Sequence, residues 1–176
     1  MRSTTRTPVF AMLAVVPLLA SLAGCAATVP LEPADDAANP TCAEVIVRLP
    51  DTVAGLDLRE TNAQGTGAWG EPANVLLRCG VAVPEPTAAL ACVTAPTDGI
   101  DWLRDDSDAP NYVFTTYGRD PAVQVIIDSD GDPDVEGDEV SGFDALTELA
   151  AAVSQITPDR FCVALSDTTP PDEGSE

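Results

Sequence analysis

The side chains whose spacing imitates a metal-binding loop lie at residues 128–139, Asp-Ser-Asp-Gly-Asp-Pro-Asp-Val-Glu-Gly-Asp-Glu. With Asp128 as the first position, acids fall at the first, third, fifth, ninth and twelfth places and Val135 takes the apolar eighth. An EF-hand loop surrounds calcium with oxygen ligands in this order. Asp128, Asp130, Asp132 and Glu139 are the candidate ligands. Two features oppose the reading. Pro133 stands at the sixth place, where the loop turns sharply on glycine, and proline's fixed negative φ cannot supply that turn. Residues 123–127 before Asp128, Val-Gln-Val-Ile-Ile, also have the pattern of a strand rather than of an entering helix. A solvated acidic loop is expected, with a weak extracellular-type calcium site as the alternative.

Catalytic constellations are harder to find. The chain has no histidine, which removes Ser/His/Asp and Cys/His arrangements and the commonest general base. There is no P-loop or dinucleotide-binding glycine pattern. A carboxylate pair, as in glycoside hydrolysis, needs two acids roughly 5–9.5 Å apart in a cleft, and abundant acids are not a motif. The chain is read as non-catalytic and without a cofactor. Trp69, Trp102 and Tyr117, with Tyr112, are the aromatic side chains that could line a ligand groove, and Arg78 and Arg119 are the arginines that could face it. Aromatics in a small domain are more often core. Arg119, inside Gly-Arg-Asp-Pro, reads most simply as a turn charge.

Five cysteines divide into one and four. Cys25 follows Arg2, Arg6, an apolar stretch at residues 9–20 and the small pair Ala23-Gly24. This is the layout of a secretory signal, and Leu22-Ala23-Gly24-Cys25 looks like a bacterial lipobox. The apolar stretch is short of the roughly 20 residues that cross a bilayer as a permanent helix. Residues 1–24 are therefore expected to be a signal peptide. Cys25 is expected to carry two acyl chains, which anchor stably where one chain binds marginally. The membrane, reached through that cysteine on its extracytoplasmic face, is the expected partner, with an envelope protein as a possible second. Residues 25–39, with Pro30, Pro33, Asp35 and Asp36, read as a flexible tether. Residues 40–165 are a single domain, and residues 166–176 an acidic tail.

Cys42, Cys79, Cys92 and Cys162 remain for the domain. An even count in an exported domain argues for two disulfides, with three connectivities open. No Cys-x-x-Cys spacing and no histidine supports a zinc site. The 8 basic residues are all arginine, against 29 acids, for a net charge of −21. Such a surface repels phosphate backbones, so nucleic acid is not an expected partner. The acidity is read as a solubility device.

The elements that would position these residues follow from periodicity and breakers. Asn39-Pro40 looks like an N-cap followed by a first-turn proline, opening a helix over residues 41–49 that Pro50 stops. Residues 52–60 read as a turn entering a short strand, and residues 65–72 as a Gly-rich connection. Residues 75–83 are the strongest strand signal. Residues 92–94, 100–103, 112–117 and 123–127 follow as strands, with residues 118–121 turning between the last two. A second helix covers residues 143–156, with Ser141 and Asp144 spaced as a capping box, and residues 161–165 form a final short strand. The fold class expected is α+β: a mostly antiparallel sheet of about five strands, two helices packed on one face, and two disulfides.

Ala68-Trp69-Gly70-Glu71-Pro72-Ala73, Leu77-Arg78-Cys79-Gly80-Val81 with Pro84, Asp101-Trp102 and the run Phe-Thr-Thr-Tyr-Gly-Arg-Asp-Pro-Ala at residues 114–122 together resemble an actinobacterial family of exported domains. The family, numbered thirty-five fifteen, has no known function. The resemblance spans most of residues 42–162 and implies no activity. It does imply a cysteine pairing. Similar chains keep one cysteine in the first helix and one in the Arg-Cys-Gly-Val strand, with an extra pair in some, which implies Cys42 with Cys79 and Cys92 with Cys162. The reading that results is a non-catalytic envelope lipoprotein whose domain binds or scaffolds. A small-molecule or calcium-binding module, or a carboxylate-based hydrolase, is the alternative.

Overall fold

The computed structural model describes residues 27–95, 99–131 and 139–162. Helix α1, Pro40–Ile46, begins as its cap residues dictate: Asn39 Oδ1 accepts the Thr41 N–H at 3.0 Å and Pro40 supplies a preset helical φ. Its inward face is Cys42 and Val45, both fully buried. The helix ends earlier than residue 49; residues 47–49 make turn hydrogen bonds before Pro50, which disfavours helical backbone in the residue ahead of it. Helix α2, Gly142–Val153, is capped by Ser141, whose Oγ accepts the Asp144 N–H at 3.3 Å. Leu146, Leu149, Ala150 and Val153 recur at helical spacing on its buried face.

The sheet has eight strands rather than about five. They are β1 (Thr52–Val53), β2 (Leu56–Arg59), β3 (Thr66–Trp69), β4 (Val75–Val81), β5 (Ala91–Thr94), β6 (Asp101–Asp108), β7 (Asn111–Thr116) and β8 (Ala122–Asp128). The spatial order is β1-β2-β3-β4-β8-β7-β6-β5, and every neighbouring pair is antiparallel. Two four-strand meanders are thus joined through their last strands, β4 and β8. The added strands come from segments that composition disguises. Residues 52–59 are a hairpin, turned by Ala54 and Gly55 with φ of 49° and 80°, the left-handed pair that a two-residue turn requires. Strand β3 contains Gly67 because the Leu49 and Trp69 side chains occupy the space that a Cβ would take. At the expected last strand, Phe161 and Cys162 are not in a strand, and residues 163–165 lie outside the described residues.

Strand alternation sorts the side chains onto two faces. The register aligns Trp69 with Val75, Val75 with Ile127, Leu77 with Val125, Val125 with Phe114 and Thr116 with Trp102. These residues share one face and form the core together with the buried sides of both helices. Cys42 of α1 is bonded to Cys79 on this face, with Cα atoms 5.6 Å apart. The other face carries Leu76, Arg78, Val113, Thr115, Gln124 and Ile126, all half-buried. There the second disulfide, Cys92 to Cys162, fixes the chain's return to edge strand β5, with Cα atoms 6.2 Å apart. Both bonds have the pairing that the resemblance implied.

Residues 29–39, expected as part of a flexible tether, are seated on the domain. The Val29 N–H donates to Glu60 O at 2.8 Å, the Leu31 N–H to Asn62 Oδ1 at 2.7 Å and the Asp36 N–H to Gly80 O at 3.1 Å. Ala34 and Ala37 are buried. Proline and acid content suggested looseness, but small alanines let this backbone lie flush against β4. Cys25 and the segment before it lie outside the described residues, as do the acidic residues 166–176.

Candidate ligand-binding site

Of the six side chains expected to line or face a groove, Tyr112 lines one concavity and Tyr117 another, and the other four line neither. Trp69 and Trp102 are fully buried in the core, on β3 and β6 with three strands between them. Trp69 Nε1 donates to Pro50 O at 3.0 Å, so its polar edge closes the loop after α1. Arg78 lies on the face opposite to both tryptophans. Arg119 is no exposed turn charge: it is 5 % exposed and donates to the carbonyl of Ile156 beyond α2. Burial lowers its pKa from the usual arginine value, and the nearby Asp101 carboxylate opposes that shift. Tyr117 lines a shallow depression with Leu103, Phe161 and the Cys92–Cys162 bond.

Of the four calcium-ligand candidates, the described residues include Asp128, Asp130 and Glu139. Asp128 is the last residue of β8 and its Oδ1 accepts the Asp130 N–H at 3.3 Å. Glu139 is exposed, and Asp132 lies outside the described residues. Among the described residues no cluster of three acidic, cysteine or histidine ligands occurs. Asp101 is the one buried acid among the described residues. Its Oδ1 accepts from Thr94 Oγ1 at 2.6 Å and its Oδ2 from the Cys162 N–H at 2.7 Å. With both oxygens engaged in holding β5, β6 and the C-terminal return together, it has the setting of a structural carboxylate.

A different set of residues forms a cavity of about 390 Å³ on the helix-bearing face. It lies where the helical layer stops short of the β5–β7 end of the sheet. The floor comes from alternate residues of successive strands: Val93 of β5, Arg104 of β6, Tyr112 and Phe114 of β7 and Ile127 of β8. The first turn of α2, through Gly142, Phe143 and Leu146, makes one wall, and Thr94, Ala95 and Ser129 complete the rim. This volume is within the range of small-molecule sites, which are largely apolar with a few placed polar groups.

Arg104 is the one charged side chain in that lining. Its guanidinium carbon lies 4.8 Å from the centroid of the Tyr112 ring, a cation–π distance. Its Nη2 is 3.5 Å from Asp106 Oδ2, and the pair is long and partly open to water, the Arg104 side chain 40 % and the Asp106 side chain 67 % exposed, so it is weak. Its Nε is buried without a hydrogen-bond partner. The hydroxyls on the rim have already placed their hydrogens. Thr94 Oγ1 donates to Asp101, and Ser129 Oγ donates to Pro110 O at 3.1 Å. Asp128 alternates to the other side of the sheet from Ile127, so its carboxylate is not part of the wall.

Sequence reasoning passed over Arg104 because it precedes an acidic run that reads as loop. The available signal was two-residue alternation: Trp102 and Arg104 share a face, as do Tyr112 and Phe114 across the hairpin. Among the described residues no helix is long and apolar enough to cross a membrane. No curated protein and no solved structure matches the chain. The family model described as a protein of unknown function, DUF3515, matches residues 7–161, and the chain therefore belongs to that family.

Proposed function

We propose that this protein is a non-catalytic binding lipoprotein of the cell envelope, anchored through a diacylated Cys25 with its domain on the extracytoplasmic side. The cavity beside Arg104 carries the binding reading. It is open and mostly apolar, and its one charged group is held by an aromatic ring and an exposed acid. The two disulfides and the signal-like N-terminus favour an oxidising compartment outside the cytoplasm. The seating of residues 29–39 makes the proposed tether short. The function is then to hold a small ligand close to the membrane surface.

Native mass spectrometry of the full-length protein, gently extracted from its own membrane, tests the reading. The expected species is the chain from Cys25 onward with a diacylated cysteine, two disulfides and an added small-molecule mass that Val93→Phe removes. An unlipidated mass would overturn the anchor. A lipidated species that never carries a ligand would overturn small-molecule binding.

A further inference from the structure

We propose that the cavity selects a small amphiphile with an apolar body and a single carboxylate, received by Arg104. This rests on the binding reading above and adds the chemical class of the ligand. The chain has 29 acids and 8 arginines, yet the charged group in the cavity lining is an arginine. The guanidinium carbon lies 4.8 Å from the Tyr112 ring centroid, and the one hydrogen bond the guanidinium makes among the described residues is the 3.5 Å contact of Nη2 with Asp106, which leaves donors for a planar acceptor. Arginine's fork matches a carboxylate in two-point contact. Asp106 is the only ion-pair partner that Arg104 has among the described residues, at 3.5 Å and partly open to water, so an incoming carboxylate displaces little.

The rest of the lining sets the remainder of the ligand. Val93, Phe114, Ile127, Phe143 and Leu146 offer no polar atoms beyond their backbone, and Phe143 stands 57 % exposed at the mouth. Covering such a ring favours an apolar body over a sugar or a peptide backbone. Thr94 and Ser129 have spent their hydrogens on Asp101 and Pro110. A hydroxyl keeps its acceptor capacity after donating, so these two rim groups suit a donor on the ligand. A second anionic group would meet no second cation in the lining.

The test is calorimetric titration of the chain downstream of the anchor, residues 26–176, produced in an oxidising compartment, with octanoate and with its neutral counterpart octanamide. Octanoate is expected to bind at least about tenfold more tightly than octanamide, a difference of roughly 1.4 kcal/mol. Arg104→Met is expected to bring the two to parity and Arg104→Lys to restore part of the preference, each with the thermal transition of the parent. Val93→Phe, which fills the cavity floor, is expected to abolish both. Equal binding of the two probes by the parent chain would overturn the carboxylate class and leave the binding reading standing. Octanoate binding that is insensitive to Val93→Phe would overturn the location. No binding of either probe, with an unidentified ligand still present by mass spectrometry, would overturn this inference alone.

Discussion

Arg119, in the turn between β7 and β8, donates its guanidinium N–H to the carbonyl oxygen of Ile156, three residues past the end of α2. The contact ties the helix end to the sheet at a place where neither group meets bulk water. The Asp159 N–H donates back to Gly118 O at 2.7 Å, and Arg119 bridges Pro158. Gly118 has φ of 68° and its α-carbon faces the Arg160 backbone, which leaves no room for a Cβ. A short turn thus fixes where α2 stops and where the chain turns toward Cys162.

Arg119→Met should lower unfolding stability by about 1–3 kcal/mol, because a buried carbonyl loses its donor and Asp101 loses a neighbouring cation. The sign of the pH dependence follows from the depressed pKa. Between the folded and unfolded pKa values the unfolded chain binds more protons, so stability from this group rises with pH only there. That window lies below the ordinary arginine value. Urea denaturation at about pH 6 and about pH 8 should therefore give the same loss at both, since the guanidinium is charged in both states.

Gly80→Ala should be more damaging than its position on a strand suggests. Gly80 sits at the register shift between Cys79 and Val81 with φ of 89°, and its missing Cβ lets the Asp36 peptide lie against the strand. Strain of this kind costs roughly 1–3 kcal/mol per residue. The loss should fall on the seating of residues 29–39. Limited proteolysis should show cleavage in that segment before the domain itself is cut.

Local signals carried the helices well and the sheet less well. Asn39-Pro40 and Ser141 with Asp144 act within one turn, so short-range chemistry sets both helix starts. The hairpin at residues 52–59 is local, but its turn is made by Ala54 and Gly55 rather than by a residue pair that announces a left-handed turn, and strand β3 is short and rich in small residues. Gly67 is glycine because the Leu49 and Trp69 side chains fill the space of a Cβ, and it is a strand residue through its pairing with Leu77. The outer half of β6 is acidic and exposed, and its ladder partner β7, not its composition, makes it a strand. The site was missed for a related reason. Arg104 and Phe143 are unremarkable singly, Tyr112 was read as a groove aromatic with other partners, and only the β6–β7 pairing and the placement of the first turn of α2 over Phe114 and Ile127 bring the three together. The disulfide pairing was legible through resemblance, where cysteine spacing left three possibilities.

The two disulfides should differ in susceptibility to reductant. Cys42 and Cys79 are fully buried between α1 and β4, whereas Cys92 is exposed on the edge strand. Thiol–disulfide exchange requires access of the attacking thiolate. Graded dithiothreitol with mass-tagged alkylation should therefore label Cys92 and Cys162 first, in a protein that is still folded. Cys42→Ser with Cys79→Ser should cost about 2–5 kcal/mol, as for a native bridge in a small secreted domain. Simultaneous labelling of all four thiols would show that the edge bond opens only on global unfolding.

The shortness of the proposed anchor gives the last prediction. Arg59 Nη2 donates to Ala27 O at 2.7 Å, and Arg59 is also paired with Glu71. The chain is thus held to β2 two residues after Cys25, and two residues of backbone reach at most about 7 Å. If Cys25 is acylated, the β2 side of the domain has to rest on the headgroups. Neutron reflectometry of the lipidated protein on a supported bilayer should then show no water layer between lipid and domain. A Gly-Ser insertion of about twelve residues between Ala26 and Ala27 should open one, because a flexible linker of that length has a mean reach of roughly 20 Å. Arg59→Gln should have a smaller effect in the same direction, since residue 29 remains bonded to Glu60. A water layer already present in the parent protein would mean that the segment after Cys25 lifts away from β2 on the membrane.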